Sequence, residues 1–257
     1  MKQKHLQFKE EKHFDQLVKE TGEIWWGSTT AAGLRRLQRR GRLIAKALAH
    51  MDKPKILEIG CGTGALTRAV LEEFPGVKLV SVDISSQAVE NARHRYSTYL
   101  NVIFEKADAT ALPYAADSFD AVVGNSILHH LPVEAAMKES LRVLKSEGMI
   151  LFSEPNMLNP QIAVEKNVPF IKKALQNSDD ETAFFRWKLK NLLIRTGFEA
   201  VSVEPFDFLH PAVPKKLIPF MEGIGKIAEK TFLLKEIAGS LLITAFKPTK
   251  EIREPGK

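Results

Sequence analysis

Cysteine is almost missing from this chain of 257 residues: Cys61 stands alone, so no internal disulfide and no cysteine-built metal cluster is available, and no metal is expected. Long apolar runs are missing too. A stretch such as 240–246 is far shorter than the roughly 20 residues a membrane-spanning helix needs. The first twenty residues, MKQKHLQFKEEKHFDQLVKE, lack the apolar centre of a secretory signal, which gives the expectation of a cytoplasmic protein. Excess charge is confined: the net +6 arises from residues 1–50, with 11 Lys and Arg against 5 Asp and Glu, leaving 26 of each sign beyond them. A balanced remainder argues against a nucleic-acid partner.

What is present is a rhythm. Strand-like segments at 55–60, 77–83, 101–106, 119–125 and 148–153 alternate with helical patterns at 64–74, 85–97 and 132–145. That alternation predicts an α/β fold with a parallel sheet covered by helices on both faces. A helix over 182–196 should end at Gly197, and strands are predicted at 198–204 and 240–247. The domain reading is an N-terminal helical arm over 1–50, a main domain over 51–250 with inserted segments near 155–181 and 207–238, and a frayed tail at 251–257. Within the arm, GLRRLQRRGRLIAKAL has leucines at helical spacing with arginines around them, read as a solvated face or an anion contact. Within the second insertion, KKLIPFMEGIGKIAEKTFLLKEIA is amphipathic, either a lid over the sheet or a weak membrane-surface contact through 211–238.

The first strand runs into ILEIGCGTG, where Gly60, Gly62 and Gly64 alternate. Glycines between a strand and a helix let a nucleoside-bearing ligand lie against backbone N–H groups with no β-carbon in the way. The same residues with Ala65 also fit a dinucleotide turn. Asp83, ending the next strand beside Ile84, can accept both hydroxyls of a ribose, which serves either ligand. Three features favour an adenosyl amino-acid donor. Glu58 is placed to bind an ammonium, Asp108 and Ala109 follow the third strand where an adenine amino group needs an acceptor, and Asn125 ends the fourth strand. No Tyr-x-x-x-Lys pair of the short-chain reductase kind accompanies them.

Together ILEIGCGTG, VSVDIS, ADATALPYAADSFDAVV and LRVLKSEGMILFSEPN resemble, in order and over about residues 55–154, the motifs of class I S-adenosylmethionine-dependent methyltransferases, particularly small stand-alone domains. The resemblance implies a Rossmann-like seven-stranded sheet in the order 3-2-1-4-5-7-6 with strand 7 antiparallel, and S-adenosylmethionine as cofactor with S-adenosylhomocysteine as product. It also implies that Trp25, Trp26 and Gly27 of EIWWG cover the cofactor. One of Arg35, Arg36 or Arg39 then meets its carboxylate, with Arg35 the candidate. The cofactor set is therefore Glu58, Gly60, Cys61, Gly62, Gly64, Asp83, Ile84, Asp108, Ala109, Asn125, Trp26 and Arg35.

His129 and His130, just after the fourth strand, are candidate general bases or structural hydrogen-bonding groups in equal measure. Cys61 is committed to the turn and cannot be the thiolate of a cytosine C5 enzyme. The Asn-Pro-Pro-aromatic motif for exocyclic amines is also missing, since Ser126 follows Asn125. The acceptor expected is a small molecule, sugar or lipid-linked compound methylated at oxygen or nitrogen by in-line displacement. An NAD(P)-linked oxidoreductase and a non-catalytic adenosyl-binding scaffold at a membrane remain the alternatives.

Overall fold

A computed structural model describes residues 12, 15, 16, 27–174 and 182–249. Trp25, Trp26 and the tail at 251–257 lie outside the described residues, and with them the cofactor-covering role expected of Trp26.

The elements run α1 (Ala31–Ala47), β1 (Lys55–Ile59), α2 (Ala65–Glu73), β2 (Lys78–Asp83), α3 (Ser86–Arg95), β3 (Val102–Lys106) and β4 (Phe119–Asn125). They continue as α4 (Val133–Val143), β5 (Leu144–Pro155), α5 (Pro160–Asn167), α6 (Pro169–Ala174), α7 (Arg186–Thr196), β6 (Glu199–Phe206), α8 (Ile218–Lys230) and β7 (Ser240–Phe246). Helix boundaries follow local chemistry. Thr30 and Ser85 cap α1 and α3 by accepting the N–H groups of Gly33 and Ala88, and Gly197 closes α7 in the left-handed conformation.

The seven strands form one sheet in the order β3-β2-β1-β4-β5-β7-β6. β1 to β5 are mutually parallel where they pair, while β7 is antiparallel to both β5 and β6. Side-chain alternation divides the core between the two faces. In β1, Leu57 and Ile59 join Val122, Ile150, Phe152 and Met137 on one side. Ile56 joins Val70, Val89 and Ile44 on the other, beneath α1, α2 and α3. Glu58 shares that second face by its register and is buried there, which makes it a polar group among apolar neighbours.

Several boundaries differ from the sequence reading: the helix expected from 182 starts at Arg186, and the strand expected over 198–204 runs from Glu199 to Phe206. The helix expected to reach 145 ends at Val143, because Leu144 is already extended (φ −66, ψ 141), and β5 begins there. Its first residues are irregular: Leu144 pairs with Phe119, the register then shifts, and Met149 pairs with Ala121. Glu147 sits at φ +62 in this bulge.

Candidate active site

The carboxyl ends of β1, β2, β4 and β5, with α1, α5 and residues 207–211 above them, enclose a cavity of about 420 Å³. That volume lies in the range of ordinary small-molecule sites, about 300–1,000 Å³. The location follows from topology. Parallel strands deliver their loops to one edge, and the order reverses between β1 and β4, where adjacent loops diverge and open a crevice.

The glycine turn divides its labour. Gly62, at φ +52, has nothing within 4 Å of the position a β-carbon would take, so the space beside it is open cavity. A β-carbon on Gly60, at φ +68, would strike the Ile127 side chain, and one on Gly64 would strike the Tyr96 ring. Gly64 is the N-cap of α2, its carbonyl accepts the Tyr96 hydroxyl at 2.9 Å, and it falls outside the cavity lining. Its role is packing of the turn. Asp83 locks the turn from the next strand: Oδ2 accepts the Gly62 N–H at 2.8 Å and Oδ1 accepts the Ser85 N–H at 2.9 Å. Each oxygen retains a second lone pair for a ligand hydroxyl. Burial pushes the Asp83 carboxyl upward, opposed by those backbone donors.

Glu58 is tied down inside the wall. Thr67 Oγ1 and Ser81 Oγ donate to its Oε2 at 2.5 and 2.8 Å, and burial raises its carboxyl to about 7 despite both bonds. A cation in the cavity would oppose that rise. Cys61 is buried, and desolvation carries its thiol well above the usual range, so it is a packing residue and a poor nucleophile. Ile84, Asp108 and Ala109 line the adjacent wall; Asp108 Oδ1 accepts the Thr110 N–H and hydroxyl, both at 2.8 Å.

Asn125 also lines the cavity, and its buried Oδ1 has no hydrogen-bond partner among the described residues. A buried acceptor without a donor costs about 1–3 kcal/mol. A ligand N–H or O–H at that point would remove the penalty. The open cradle at Gly62 and this orphaned oxygen are the two features that fit an adenosyl-type ligand. No group of three or more metal-ligating side chains occurs among the described residues.

Both histidines reach the cavity, but unequally. His129 Nδ1 lies 2.7 Å from Glu154 Oε2, with both side chains at 2% exposure or less. The other oxygen, Glu154 Oε1, accepts the N–H groups of Ile127 and Leu128 at 2.8 Å each. A carboxylate held by two backbone donors favours the tautomer with the proton on Nδ1, in which Nε2 is the basic nitrogen. His130 lies against His129 with ring centroids 4.0 Å apart and planes tilted by 41°. Glu154 ends β5 beside Ser153, and sequence reasoning missed it. The signal was available in FSEPN, an acidic residue at a strand end level with Asn125.

The arginines fall differently from expectation. Arg35 lies outside the cavity and approaches Glu222 of α8 at 3.4 Å. Arg39 makes a two-pronged pair with Glu229, 2.7 Å at each oxygen. Arg36 and Arg40 line the cavity and converge on one oxygen, Asp207 Oδ2, at 3.0 and 2.8 Å. Arg40 also donates to Ser153 and Ser240, and burial lowers its guanidinium to about 10. Helical spacing explains the split: Arg36 and Arg40 are one turn apart on one face, whereas Arg35 and Arg39 lie on the neighbouring one. Two guanidinium groups against one carboxylate leave this wall of the cavity with a surplus positive charge.

A glycine cradle after β1, a carboxylate at the end of β2, and an antiparallel β7 inserted between β5 and β6 define a Rossmann-like methyltransferase architecture; a dinucleotide-binding sheet has the order 3-2-1-4-5-6 instead. A family model described as a methyltransferase domain matches residues 56–148. A malonyl-[acyl-carrier protein] O-methyltransferase of Halalkalibacterium halodurans is 37% identical over 107 residues, 40% of each chain. One of Geobacter sulfurreducens is 28% identical over 181 residues, 67% of each chain. The match thus spans about two fifths of the first relative's length and about two thirds of the second's. Among solved structures, an S-adenosylmethionine-dependent methyltransferase of Thermotoga maritima superposes with a TM-score of 0.64 at 21% identity, covering 92% of this chain and 99% of that one. The Haemonchus contortus phosphoethanolamine N-methyltransferase 2 in complex with S-adenosyl-L-methionine gives 0.60 at 17% identity, covering 92% and 60%. Residues 56–148 thus match a methyltransferase domain, and the likeness that extends over the rest of the chain is one of fold.

Proposed function

We propose that this protein transfers a methyl group from S-adenosylmethionine to an oxygen or nitrogen of a small, carrier-linked or lipid-linked acceptor, with His129 as general base and Glu154 as its positioning partner. The observation that carries this reading is the buried His129 and Glu154 pair in the same cavity as the open turn at Gly62. S-adenosylmethionine, when bound, supplies an electrophilic methyl group on a positively charged sulfur. The chain has four tasks around it. Gly62 and Asp83 hold the nucleoside, with Asp83 accepting ribose hydroxyls. Asp108 and Asn125 offer acceptors to polar hydrogens, and Glu58 favours a nearby ammonium. His129 takes the acceptor's proton at Nε2 as the new C–O or C–N bond forms. Glu154 holds the Nδ1 hydrogen and stabilises the imidazolium. Orientation in a walled cavity supplies several kcal/mol of the barrier reduction, and the base a further 10²-fold or more.

Arg36 and Arg40 favour a second reading in which the acceptor is a carboxylic acid. Two guanidinium groups sharing Asp207 can take a further carboxylate, and the malonyl-acyl-carrier relatives support that chemistry. A carboxylate is already ionised at neutral pH and requires no base.

Transfer of labelled methyl from S-adenosylmethionine to phenols, alcohols, amines and carboxylic acids, among them a carrier-bound malonyl group, separates the two. With a hydroxyl or amine acceptor, His129→Ala should lower kcat about 10²-fold or more, and Glu154→Gln should follow it with KM little changed. With a carboxylate acceptor both variants should retain turnover, and Arg36→Leu should raise KM. Label transferred to none of these classes by protein that binds S-adenosylhomocysteine would overturn the enzymatic assignment.

A further inference from the structure

Eight of the seventeen exposed large hydrophobic side chains among the described residues lie in the segment from Lys215 to Ile237. Phe220, Ile224 and Ile227 lie within an arc of about 60° on α8, and with Leu217 at its N-cap they are 46–69% exposed. Phe232 and Leu233, in the turn that follows, are 79% and 75% exposed. The stripe does not pack on the core. Ile218, Gly225 and Ala228 do that from the neighbouring face of the helix.

The charges are sorted with equal consistency. The three acidic residues of the segment all turn inward onto arginines of the body: Glu222 to Arg35, Glu229 to Arg39 and Glu236 to Arg186. Four of the segment's five lysines turn outward, while Lys235 pairs with Glu204 at 3.3 Å. Lys215, Lys216, Lys226 and Lys230 are exposed, form no ion pair among the described residues, and lie beside the apolar stripe. The outer face therefore combines large apolar side chains with positive charge, the segment's own three carboxylates being turned to the body.

We propose that this face is a docking surface for an anionic lipid bilayer, with the apolar stripe entering the headgroup boundary and the lysines meeting lipid phosphates. Charge selects among the occupants. A second copy of the chain would bring lysines against lysines with no acid between them. An acidic protein would neutralise the lysines but leave two phenylalanines and several aliphatic side chains uncovered. An anionic bilayer satisfies both at once, as interfacial amphipathic helices do. No helix of the described residues is long and apolar enough to cross a membrane, so the contact is peripheral. Residues 207–211, directly before this segment, line the cavity, so docking sets that wall beside the lipid surface. An amphiphilic acceptor is the substrate class such an arrangement serves.

The test is co-sedimentation of the full chain, without cofactor, with phosphatidylcholine vesicles containing about a third phosphatidylglycerol and with phosphatidylcholine alone. The bound fraction should be about tenfold greater on the anionic vesicles and fall severalfold as salt rises to about 0.5 M. Phe220→Glu with Phe232→Glu should abolish binding, and Lys226→Glu with Lys230→Glu should abolish the lipid preference. Both pairs sit at exposed positions and should melt with the wild type. Failure of the wild type to sediment with either vesicle overturns the proposal. So does a dimer that Phe220→Glu and Phe232→Glu dissociate, or capture by a purified acidic carrier protein that only the lysine variants lose. None of these readouts depends on methyl transfer.

Discussion

Replacing Glu58 with Gln isolates the electrostatic state of the cavity wall. Glu58 is 1% exposed and receives two hydroxyl donors on one oxygen, yet burial still raises its carboxyl from 4.5 to about 7. The unfolded chain ionises it near 4.5 while the folded chain keeps the proton until about 7, so the folded state binds more protons between those values. Stability due to neutral Glu58 is then fully present below pH 4.5 and is lost as pH climbs through about 7. The gap between the two values is worth about 3 kcal/mol. Gln keeps an oxygen for Thr67 and Ser81 and does not titrate. Urea unfolding of the two proteins at matched pH should show the wild type losing about 3 kcal/mol relative to the variant between pH 4.5 and 8. A ligand bearing an ammonium should also bind the wild type more tightly as pH rises through 7, an effect the variant lacks. Parallel stability curves, or a wild type that gains on the variant with pH, would refute the placement of this carboxylate.

Asp207→Ala leaves Arg40 buried without its counter-charge and should cost about 3–5 kcal/mol in denaturant unfolding. Because its arginine partners hold Asp207 down to about 2 against burial, the wild type keeps this stability above pH 3.8 and loses it as pH falls through about 2; Asp207→Asn should flatten that acid limb. Gly60→Ala should lower the melting temperature, since its β-carbon meets Ile127. Gly62→Ala, whose β-carbon meets only open cavity, should cost about 1–2 kcal/mol of backbone strain and mainly lose cofactor affinity.

Much of this arrangement is legible in the sequence because its signals are local. Val, Ile and Leu runs between Gly, Pro and Asx punctuation mark β1 to β5, and a glycine turn followed nineteen residues later by Asp83 places the crevice. The late strands and the amphipathic stretch between them are equally readable. What escaped depends on contacts distant in sequence. Which arginine faces the cavity was undecidable from spacing alone, because it is Asp207, 171 residues beyond Arg36, that draws Arg36 and Arg40 inward while Glu222 and Glu229 draw Arg35 and Arg39 to α8. Glu154 was passed over because its partner His129 sits on a different strand's loop, 25 residues earlier, and only the parallel pairing of β4 with β5 brings them together. Gly64 shows the opposite error. It belongs to the motif by spacing, yet its bare α-carbon makes room for Tyr96 and not for a ligand.

The crevice above Gly62, closed by Asp83, is the proposed seat of the adenosyl donor. Isothermal titration of S-adenosylhomocysteine into the wild type and Asp83→Ala tests it most directly. The expected result is saturable heat at one ligand per chain in the wild type and its near-complete loss in the variant, with both proteins folded. Heat of equal size and affinity in both, or none in the wild type, would contradict the account.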